Sequence, residues 1–446
     1  MRYEQVFKEE DSIGPPINNE KIVYTAMCAD FLHAGHMNII NKSRELGKLI
    51  VGVLTDEAIS EYKRVPVIPF NLRKALVENI KGVWKVIPQH TLDYTDNLRK
   101  YKPDIVTNGD DWRTGAQKET RQKVINVLKE WGGKLIEIPY TKGISSTLII
   151  EDFRKNGITP EQRLSMFRRL INVKPIVRVI EAHNGISALV AENTKVDGKA
   201  FDAIWESSFT DSASKGKPDI ELVSMDSRIH TINEILEVST KPIIVDADTG
   251  GQIEHFEYMV RTMERLGVSA VIIEDKRFPK INSLMENAKH KQETIKKFCE
   301  KIMAGKKAQI TDDFMVFARI ESYIAGKGLQ DAIERARAYI NAGADGIMIH
   351  SKEPSGWQIV EFCKEYKKLK KKVPLIAVPT TYNTMTEKEL KYYGVDIIIY
   401  ANHLLRSSYK AMKEVAETIL NNERSVGVND DCCSVRELFE LTRRYE

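Results

Sequence analysis

Cysteine is scarce in this chain, and its placement excludes two kinds of small stabilised domain. The 446 residues include five cysteines, of which only Cys432 and Cys433 are close together, as adjacent residues poorly placed to pair with each other. This spacing supports neither a disulfide framework nor a structural zinc site, so we expect a protein of the reducing cytoplasm.

Long apolar runs, a signal peptide and an excess of one charge are also missing. No apolar stretch is long enough to cross a bilayer, and the polar start Met1–Glu4 lacks the core of a signal peptide. With 67 Lys and Arg against 63 Asp and Glu, the net charge is +4, which gives no bias toward nucleic acid or membranes. The basic run Lys367–Lys372 contains no aromatic residue, so we interpret it as a solvated helix end and expect small molecules as partners.

What the sequence does contain, from about residue 176 onward, is a regular alternation of strand-like apolar runs and helical patterns. A chain of 446 residues is long enough for two domains, and this alternation predicts that the second is a (β/α)₈ barrel. The predicted strands are Ile176–Glu181, Ala203–Trp205, Ile243–Asp246, Ala270–Glu274, Met315–Arg319, Gly346–His350, Leu375–Val378 and Val395–Tyr400. In such barrels the active site lies at the carboxyl ends of the strands.

One charged loop, Glu274–Leu284, directly follows the buried-strand pattern Ser269–Ile273. Lys280, Asn282 and Ser283 give this loop hydrogen-bond donors that are able to close over an anion. Charged loops are often no more than solvated turns, so the loop by itself is equally consistent with that interpretation.

Other predicted strands end in residues suited to phosphate chemistry. Asp246 and Asp248 are alternate residues at the end of one strand, so we expect them to share a site whose oxygen ligands suit Mg²⁺. Arg319 and His350 end two later strands. A metal, a guanidinium, an imidazole and a lysine-bearing loop at one barrel mouth predict a site that handles phosphoryl groups.

The motifs Asp246–Gly250, Glu274–Ser283 and Ala318–Glu321 resemble those of the phosphoenolpyruvate mutase family, within the isocitrate lyase superfamily. The resemblance extends from about Ile176 to the carboxyl terminus. The carbon–carbon lyases of that superfamily carry a catalytic cysteine on the loop, and no cysteine is present there in this sequence. A lyase is therefore not expected.

The resemblance also implies roles for individual residues of this sequence. Mg²⁺ would be held by Asp246, Asp248 and Glu274. The implied catalytic residues are Asp219, Lys280, Asn282, Arg319 and His350, and the implied substrate-binding residues are Trp205, Ser207, Ser208, Phe209 and Ser283. Without the resemblance, Asp219 would be interpreted as an acid in a surface turn. Glu206 occupies a position that is glycine in the family, and a homo-oligomer (dimer or tetramer) with swapped carboxyl-terminal helices is implied.

The amino-terminal part of the chain has a different pattern, that of a doubly wound, Rossmann-like unit after a flexible leader over residues 1–20. The strand Lys21–Thr25 is followed by a turn, a helical pattern and a second strand, Leu49–Leu54. His33 and His36 flank Gly35 in the turn, where the helix N-terminus suits an anion. Ordinary surface histidines at a helix cap are the alternative, because short motifs recur by chance.

Together with Asn108–Trp112 and the hydroxyl-rich segment Gly143–Thr147, this turn resembles the cytidylyltransferase family typified by glycerol-3-phosphate cytidylyltransferase. The resemblance covers about Lys21 to Ile150 and implies that both histidines stabilise the α-phosphate of CTP while pyrophosphate leaves. The implied nucleotide-binding residues are Cys28, Ala29, His33, His36, Lys63, Arg64, Asp110, Trp112, Gly143, Ser145, Ser146 and Thr147. The segment Tyr140–Ser145 lacks the phosphate-binding arginine that the family carries there.

Break signals at Thr159-Pro160 place the domain boundary near residues 157–160, which gives a nucleotidyltransferase-like domain over 21–157 and a barrel domain with carboxyl-terminal helices over 158–446. The expected function is bifunctional: a Mg²⁺-dependent rearrangement of phosphoenolpyruvate to phosphonopyruvate, and CMP transfer from CTP to a phosphonate such as 2-aminoethylphosphonate. Three alternatives stay open, namely a barrel that hydrolyses phosphonopyruvate, glycerol 3-phosphate as the acceptor, and an amino-terminal domain that only binds nucleotide and regulates the barrel.

Overall fold

The chain forms two compact units, Met1–Arg154 and Lys155–Glu446. The computed structural model describes residues 21–61, 65–113, 118–139, 158–283, 285 and 289–442. Several predictions lie outside these residues: the leader 1–20 and the nucleotide-binding residues Lys63, Arg64, Gly143, Ser145, Ser146 and Thr147.

The first unit contains a five-stranded parallel sheet in the order β3-β2-β1-β4-β5. Its strands are β1 Ile22–Met27, β2 Lys48–Leu54, β3 Val83–Gln89, β4 Ile105–Gly109 and β5 Lys134–Ile138. The helices described in this unit are α1 Ala34–Leu46, α2 Asp56–Ser60, α3 Phe70–Glu78, α4 Thr95–Tyr101 and α5 Lys118–Leu128, with a 3₁₀ turn at Asp110–Arg113. The strand order reverses beside β1, as in a doubly wound sheet, so the predicted Rossmann-like fold is confirmed.

The central strands of this sheet are buried on both faces because helices cover each side. Tyr24 of β1 and Val51 of β2 are fully buried. The Tyr24 hydroxyl reaches across β2 to donate a hydrogen bond to Gln89 Oε1 at 2.5 Å. Gly52 permits this path, since a Cβ atom at that position would lie 2.1 Å from the hydroxyl oxygen.

The second unit is a closed barrel of parallel strands, in the order β6-β9-β10-β11-β12-β13-β14-β15. The barrel strands are β6 Val177–Glu181, β9 Ala203–Glu206, β10 Ile243–Asp246, β11 Ala270–Glu274, β12 Met315–Ile320, β13 Gly346–Ile349, β14 Leu375–Ala377 and β15 Ile397–Tyr400. A short hairpin of β7 Lys195–Val196 and β8 Lys199–Ala200 lies outside it. The (β/α)₈ barrel is confirmed, and each predicted strand coincides with an observed one to within two residues at either end.

Helices surround the barrel, and most bury an apolar face against its strands, whereas His403–Asn422 and Val435–Thr442 have no buried residue. They are α6 Pro160–Val173, α7 Gly185–Asn193, α8 Ser208–Ser214, α9 Met225–Val238, α10 Ile253–Leu266, α11 Ile295–Ala308, α12 Gly328–Asn341, α13 Trp357–Tyr366, α14 Glu387–Tyr393, α15 His403–Asn422 and α16 Val435–Thr442. Phe256, Phe298 and Phe362 on three of these helices are fully buried in the core. Among the described residues, no helix is both long and apolar enough to cross a membrane.

The base of the loop after β11 is fixed from both sides by the buried carboxylate of Asp275. Asp275 accepts hydrogen bonds from Gln292 Nε2 at 3.1 Å and from Arg335 Nη1 at 3.0 Å. It also accepts one from the backbone N–H of Glu321 at 3.0 Å. Because Lys276 pairs with Gln292 across the loop, both ends of the loop leave the barrel together. We call the described residues 276–283 of this loop the lid.

Candidate active site

A pocket at the carboxyl ends of the barrel strands brings most of the predicted barrel residues together. Those lining it are Trp205, Ser207, Phe209, Asp219, Asp246, Glu274, Lys280, Asn282, Ser283, Arg319 and His350. Ser208 and Asp248 contact members of this set directly. The charged loop is therefore part of the barrel mouth and not a solvated turn.

Asp246 and Asp248 share this site, but for a different reason than strand alternation. The strand β10 ends at Asp246, and Asp248 has a φ of +53°, in the left-handed region. The backbone turns back, so that the Asp248 N–H donates to Asp246 Oδ1 at 3.2 Å. Ser208 donates to Asp246 Oδ2 at 2.9 Å. The turn, and not the pleat of a strand, brings the two carboxylates together.

Lys280 connects the lid to the acidic residues of the pocket. Its Nζ lies 2.5 Å from Asp248 Oδ1, 3.0 Å from Asp219 Oδ1 and 2.8 Å from Ser208 Oγ. Burial acts to lower the pKa of Lys280, but the charges of Asp248 and Asp246 outweigh it and raise that pKa well above its usual value. Lys280 is therefore a permanent cation within this cluster.

Two further contacts hold the lid against the mouth. Asn282 Nδ2 donates to Asp219 Oδ2 at 2.6 Å, and the Lys280 backbone N–H donates to Glu221 Oε2 at 3.1 Å. Glu221 in turn accepts hydrogen bonds from the backbone and the hydroxyl of Thr249. The segment around Asp219 thus acts as the docking surface for the lid.

Glu321 organises the opposite wall of the pocket. Its carboxylate pairs with Arg319 Nε, lies 2.8 Å from His350 Nδ1 and accepts a hydrogen bond from Ser283 Oγ at 2.9 Å. Burial opposes ionisation of Glu321, but Arg319 and His350 lower its pKa well below the usual range. Burial lowers the pKa of His350; the charge of Glu321 opposes this effect, and that of Arg319 adds to it.

Glu274, at the end of β11, is a buried carboxylate whose charge is incompletely compensated. Its Oε2 lies 3.6 Å from Lys276 Nζ and 3.5 Å from Arg319 Nε, whereas its Oε1 is buried without a hydrogen-bond partner. Burial raises the pKa of Glu274 to about 7, and the two cations offset this only in part. An oxygen of this kind suits an added cation. Even so, the described residues include no group of three or more His, Cys, Asp or Glu side chains placed to hold a metal ion.

Three site residues were not assigned from the sequence: Lys276, Glu221 and Glu321. Glu321 lies two residues after Arg319, and this alternation along an extended segment was an available signal. Lys276 belongs to the charged loop itself, and its Nζ donates to Ser283 Oγ and to the Ile281 carbonyl. No sequence pattern marks Glu221, because its role depends on its contact with the backbone of Lys280 in the lid.

The predicted histidines of the first unit lie together at the start of α1. His33 is the N-cap residue, and its Nδ1 accepts a hydrogen bond from the Gly35 N–H at 3.1 Å. The ring centroids of His33 and His36 are 4.0 Å apart. Burial lowers the pKa of His33. Two imidazoles at a helix N-terminus form a suitable site for a phosphate.

The other predicted nucleotide-binding residues that are described occupy different environments. Cys28 accepts a hydrogen bond from the buried Arg73 through its carbonyl, and Ala29 has a φ of +55° in the turn before α1. Asp110 begins the 3₁₀ turn after β4. The Trp112 ring is 2% exposed, stacks near Tyr94 and donates to Glu137 Oε1 at 2.9 Å. Its assignment to the nucleotide site stays a prediction.

Residues 167–420, more than half of the chain, match the family described as phosphoenolpyruvate phosphomutase. The chain belongs to the phosphoenolpyruvate phosphomutase family. Residues 25–152 match the family described as cytidylyltransferase-like. The protein is therefore an enzyme that combines a phosphomutase-family barrel with an amino-terminal cytidylyltransferase-like domain.

Two relatives of the barrel have different activities at similar identity. The phosphoenolpyruvate phosphomutase of Tetrahymena pyriformis is 35% identical over 288 residues, which cover 64% of this chain and 93% of that protein. The phosphonopyruvate hydrolase of Variovorax sp. (strain Pal2) is 38% identical over 262 residues, which cover 58% of this chain and 88% of that protein.

Solved structures of both a phosphomutase and a hydrolase also resemble this barrel at similar identity. The phosphoenolpyruvate phosphomutase of Streptomyces platensis subsp. rosaceus superposes with a TM-score of 0.58 at 36% identity, covering 62% of this chain and 94% of that one. A phosphonopyruvate hydrolase in complex with oxalate and Mg²⁺ superposes with a TM-score of 0.56 at 35% identity, covering 64% of this chain and 95% of that one. Identity alone therefore does not separate the two activities for this barrel.

Proposed function

We propose that the barrel rearranges phosphoenolpyruvate to phosphonopyruvate in a Mg²⁺-dependent reaction. The bond between phosphorus and the enol oxygen breaks and a bond between phosphorus and C3 forms, so that no atom is gained or lost. The observation that carries this proposal is the lid docked on the mouth, with Lys280 and Asn282 both contacting Asp219. A closed polar lid excludes the water that would otherwise capture a loosely bound phosphoryl group.

The magnesium ion would be held by Asp246, Asp248 and Glu274. The fit rests on hard oxygen donors and on Glu274, whose buried Oε1 has no hydrogen-bond partner. The related hydrolase crystallised with oxalate and Mg²⁺ supports the same choice of metal. When bound, Mg²⁺ supplies positive charge that stabilises an enolate and the phosphoryl oxygens.

The remaining residues bind and orient the substrate. Arg319 and His350 would face the phosphoryl and enolate oxygens, because both line one wall of the mouth. Glu321 holds both side chains in place. Ser283 and Ser207, with the backbone of neighbouring Ser208 and Phe209, would bind the carboxylate or the phosphoryl group. Asp219 would act either as a transient nucleophile or as an electrostatic guide for the migrating group.

Hydrolysis of phosphonopyruvate is the second candidate, because the Variovorax relative is 38% identical. Asn282 favours the mutase: its amide donates to Asp219 at 2.6 Å, and an amide is not a base that activates water. Phosphorus NMR of the enzyme with phosphonopyruvate separates the two activities. Formation of phosphoenolpyruvate supports the mutase, and formation of inorganic phosphate supports the hydrolase.

For the amino-terminal domain we propose CMP transfer from CTP to a phosphonate such as 2-aminoethylphosphonate. An acceptor oxygen would attack the α-phosphorus while the bond to pyrophosphate breaks, and His33 and His36 would stabilise the charge that develops. Their ring centroids lie 4.0 Å apart at a helix N-terminus, which supports this role. No protein nucleophile is needed for such a displacement.

Pyrophosphate release tests the transferase and its acceptor. The full chain would be incubated with CTP and either a panel of phosphonates or glycerol 3-phosphate, with His36→Ala as the matched control. Release that depends on a phosphonate and on His36 supports the proposal. Release with glycerol 3-phosphate alone would identify the other acceptor, and no release with any acceptor would favour a domain that only binds nucleotide.

A homo-oligomer, a dimer or a tetramer, is also proposed. The long helix α15 has no buried residue, although Tyr409, Met412 and Leu420 on it are large and apolar and at least 61% exposed. An exchange of this helix between subunits, as the family resemblance implies, would bury those side chains. Light scattering of the purified chain tests the proposal, and a monomer at micromolar concentration would contradict it.

A further inference from the structure

A buried arginine lies directly beneath the carboxylate pair of the barrel mouth. Arg228 of α9 is 3% exposed. One of its terminal nitrogens, Nη1, donates to the backbone carbonyl of Asp246, and the other, Nη2, lies 3.1 Å from Asp248 Oδ2. A single guanidinium therefore contacts both residues at the end of β10.

The backbone of Asp248 turns sharply after β10. Its φ of +53° lies in the left-handed region, which aspartate tolerates better than most residues other than glycine. The two carboxylate oxygens are divided between partners: Oδ2 pairs with Arg228 and Oδ1 pairs with Lys280 of the lid. Holding Oδ2 determines that Oδ1 faces the pocket.

On its other side, Arg228 faces two buried acids. Its Nε lies 3.8 Å from Glu206 Oε1 and 4.0 Å from Asp211 Oδ2. The guanidinium stays charged, because arginine is not deprotonated in proteins at working pH.

We infer that Arg228 is a positioning residue for the barrel reaction: it fixes Asp248 so that one carboxylate oxygen is presented to the cation site and the lid. The inference rests on the proposed Mg²⁺-dependent function. Arg228 does not line the pocket, and its effect reaches the substrate only through Asp246 and Asp248. Partners of this kind orient the residues that bind a metal, and removing them typically weakens the metal site.

The test measures cation affinity, which a purely structural arginine would not change. Mn²⁺, as a probe for the Mg²⁺ site, is titrated into the full chain and followed by EPR for the wild type and for Arg228→Met. We expect the Kd for Mn²⁺ to rise roughly tenfold or more in the variant. A simple charge effect would act in the opposite direction, because removing a positive charge beside carboxylates strengthens their attraction for a cation.

Two comparison variants distinguish lost positioning from lost folding. Arg163→Met removes another buried arginine, 5% exposed, which donates to the Ser239 carbonyl at 2.9 Å before β10 begins. It should lower the Tm without changing the Kd for Mn²⁺. The double variant Glu206→Gln/Arg228→Met keeps position 206 neutral at every pH, so it cannot leave a buried charge facing an empty position. At alkaline pH, where Glu206 ionises, it should recover part of the lost Tm, and it should keep the raised Kd.

The outcomes separate this inference from the proposed function. The inference alone would be overturned if the wild type binds Mn²⁺ and converts phosphonopyruvate but the Kd for Mn²⁺ does not rise in Arg228→Met. The same Kd result in the folded double variant would also overturn it. A wild type that binds no divalent cation would overturn both. A lysine at position 228 can reach either Asp246 or Asp248 but not both. A Kd for Mn²⁺ in Arg228→Lys that lies between those of the wild type and Arg228→Met would support the positioning role further.

Discussion

Replacing Glu206 by Gln should stabilise the barrel at alkaline pH and have little effect at acid pH. Glu206 is completely buried, and the nearest cation atom, Arg228 Nε, is 3.8 Å away. Burial raises the pKa of Glu206 from its ordinary value of 4.5 to about 8; Arg228 offsets part of this, and Asp211 and Asp246 add to it.

The sign and size of the effect follow from this raised pKa. Between the two pKa values the folded state binds a proton that the unfolded state has lost, so the free energy of unfolding falls as pH rises. A difference of one in pKa between the folded and unfolded states corresponds to about 1.4 kcal/mol. The change from 4.5 to about 8 therefore gives an upper limit of about 5 kcal/mol. Glutamine is neutral at every pH, so Glu206→Gln removes this loss of stability at alkaline pH.

The assay is thermal unfolding of the full chain in EDTA, comparing wild type and variant at about pH 5.5 and about pH 8.5. Each kcal/mol is worth roughly 2–4 °C for a domain of this size, so the advantage of Glu206→Gln should grow by several degrees between the two conditions. Glu264→Gln is the matched control, because Glu264 is buried and accepts hydrogen bonds from the backbone N–H groups of Ile310 and Thr311. That variant should be less stable than wild type in both buffers. A difference between Glu206→Gln and wild type that does not change with pH would refute the reasoning.

Other predictions address the two proposed activities. Glu321→Gln removes the charge that holds Arg319 and His350 and should lower kcat for phosphonopyruvate roughly 100-fold, measured by steady-state kinetics; a change in KM alone would contradict this. Asn282→Ala removes the contact with Asp219, so the fraction of phosphonopyruvate released as inorganic phosphate should rise, as measured by phosphorus NMR. An unchanged ratio of inorganic phosphate to phosphoenolpyruvate would contradict this. His36→Ala should lower CTP-dependent pyrophosphate release roughly 100-fold or more while the barrel reaction continues at the wild-type rate. Treatment with EDTA should abolish the barrel reaction, and Mg²⁺ should restore it; activity that persists in EDTA would argue against the metal.

Both folds could be predicted because most strands of these sheets are short apolar runs between polar segments, with the mixed sequences of β3 and β5 as exceptions. Strands buried on both faces, such as Ala270–Glu274, leave a continuous apolar signal in the sequence. Residues that directly end a strand, such as Arg319 and Glu274, then follow from the barrel's geometry, because the carboxyl ends of all strands meet at one mouth.

Contacts between distant segments could not be predicted in this way. Arg228, on a helix with an ordinary amphipathic pattern, gave no sign that its guanidinium reaches Asp246 and Asp248. Glu221 contacts the lid through a turn, and no periodic pattern marks a turn as a docking surface.

The central claim is that a closed, polar barrel mouth moves a phosphoryl group between oxygen and carbon without releasing it to water. Phosphorus NMR of the purified chain with phosphonopyruvate and Mg²⁺ tests it most directly. We predict that the phosphonate signal is replaced by that of phosphoenolpyruvate, with little inorganic phosphate. Inorganic phosphate as the main product, or an unchanged phosphonopyruvate signal in the presence of Mg²⁺, would contradict the claim.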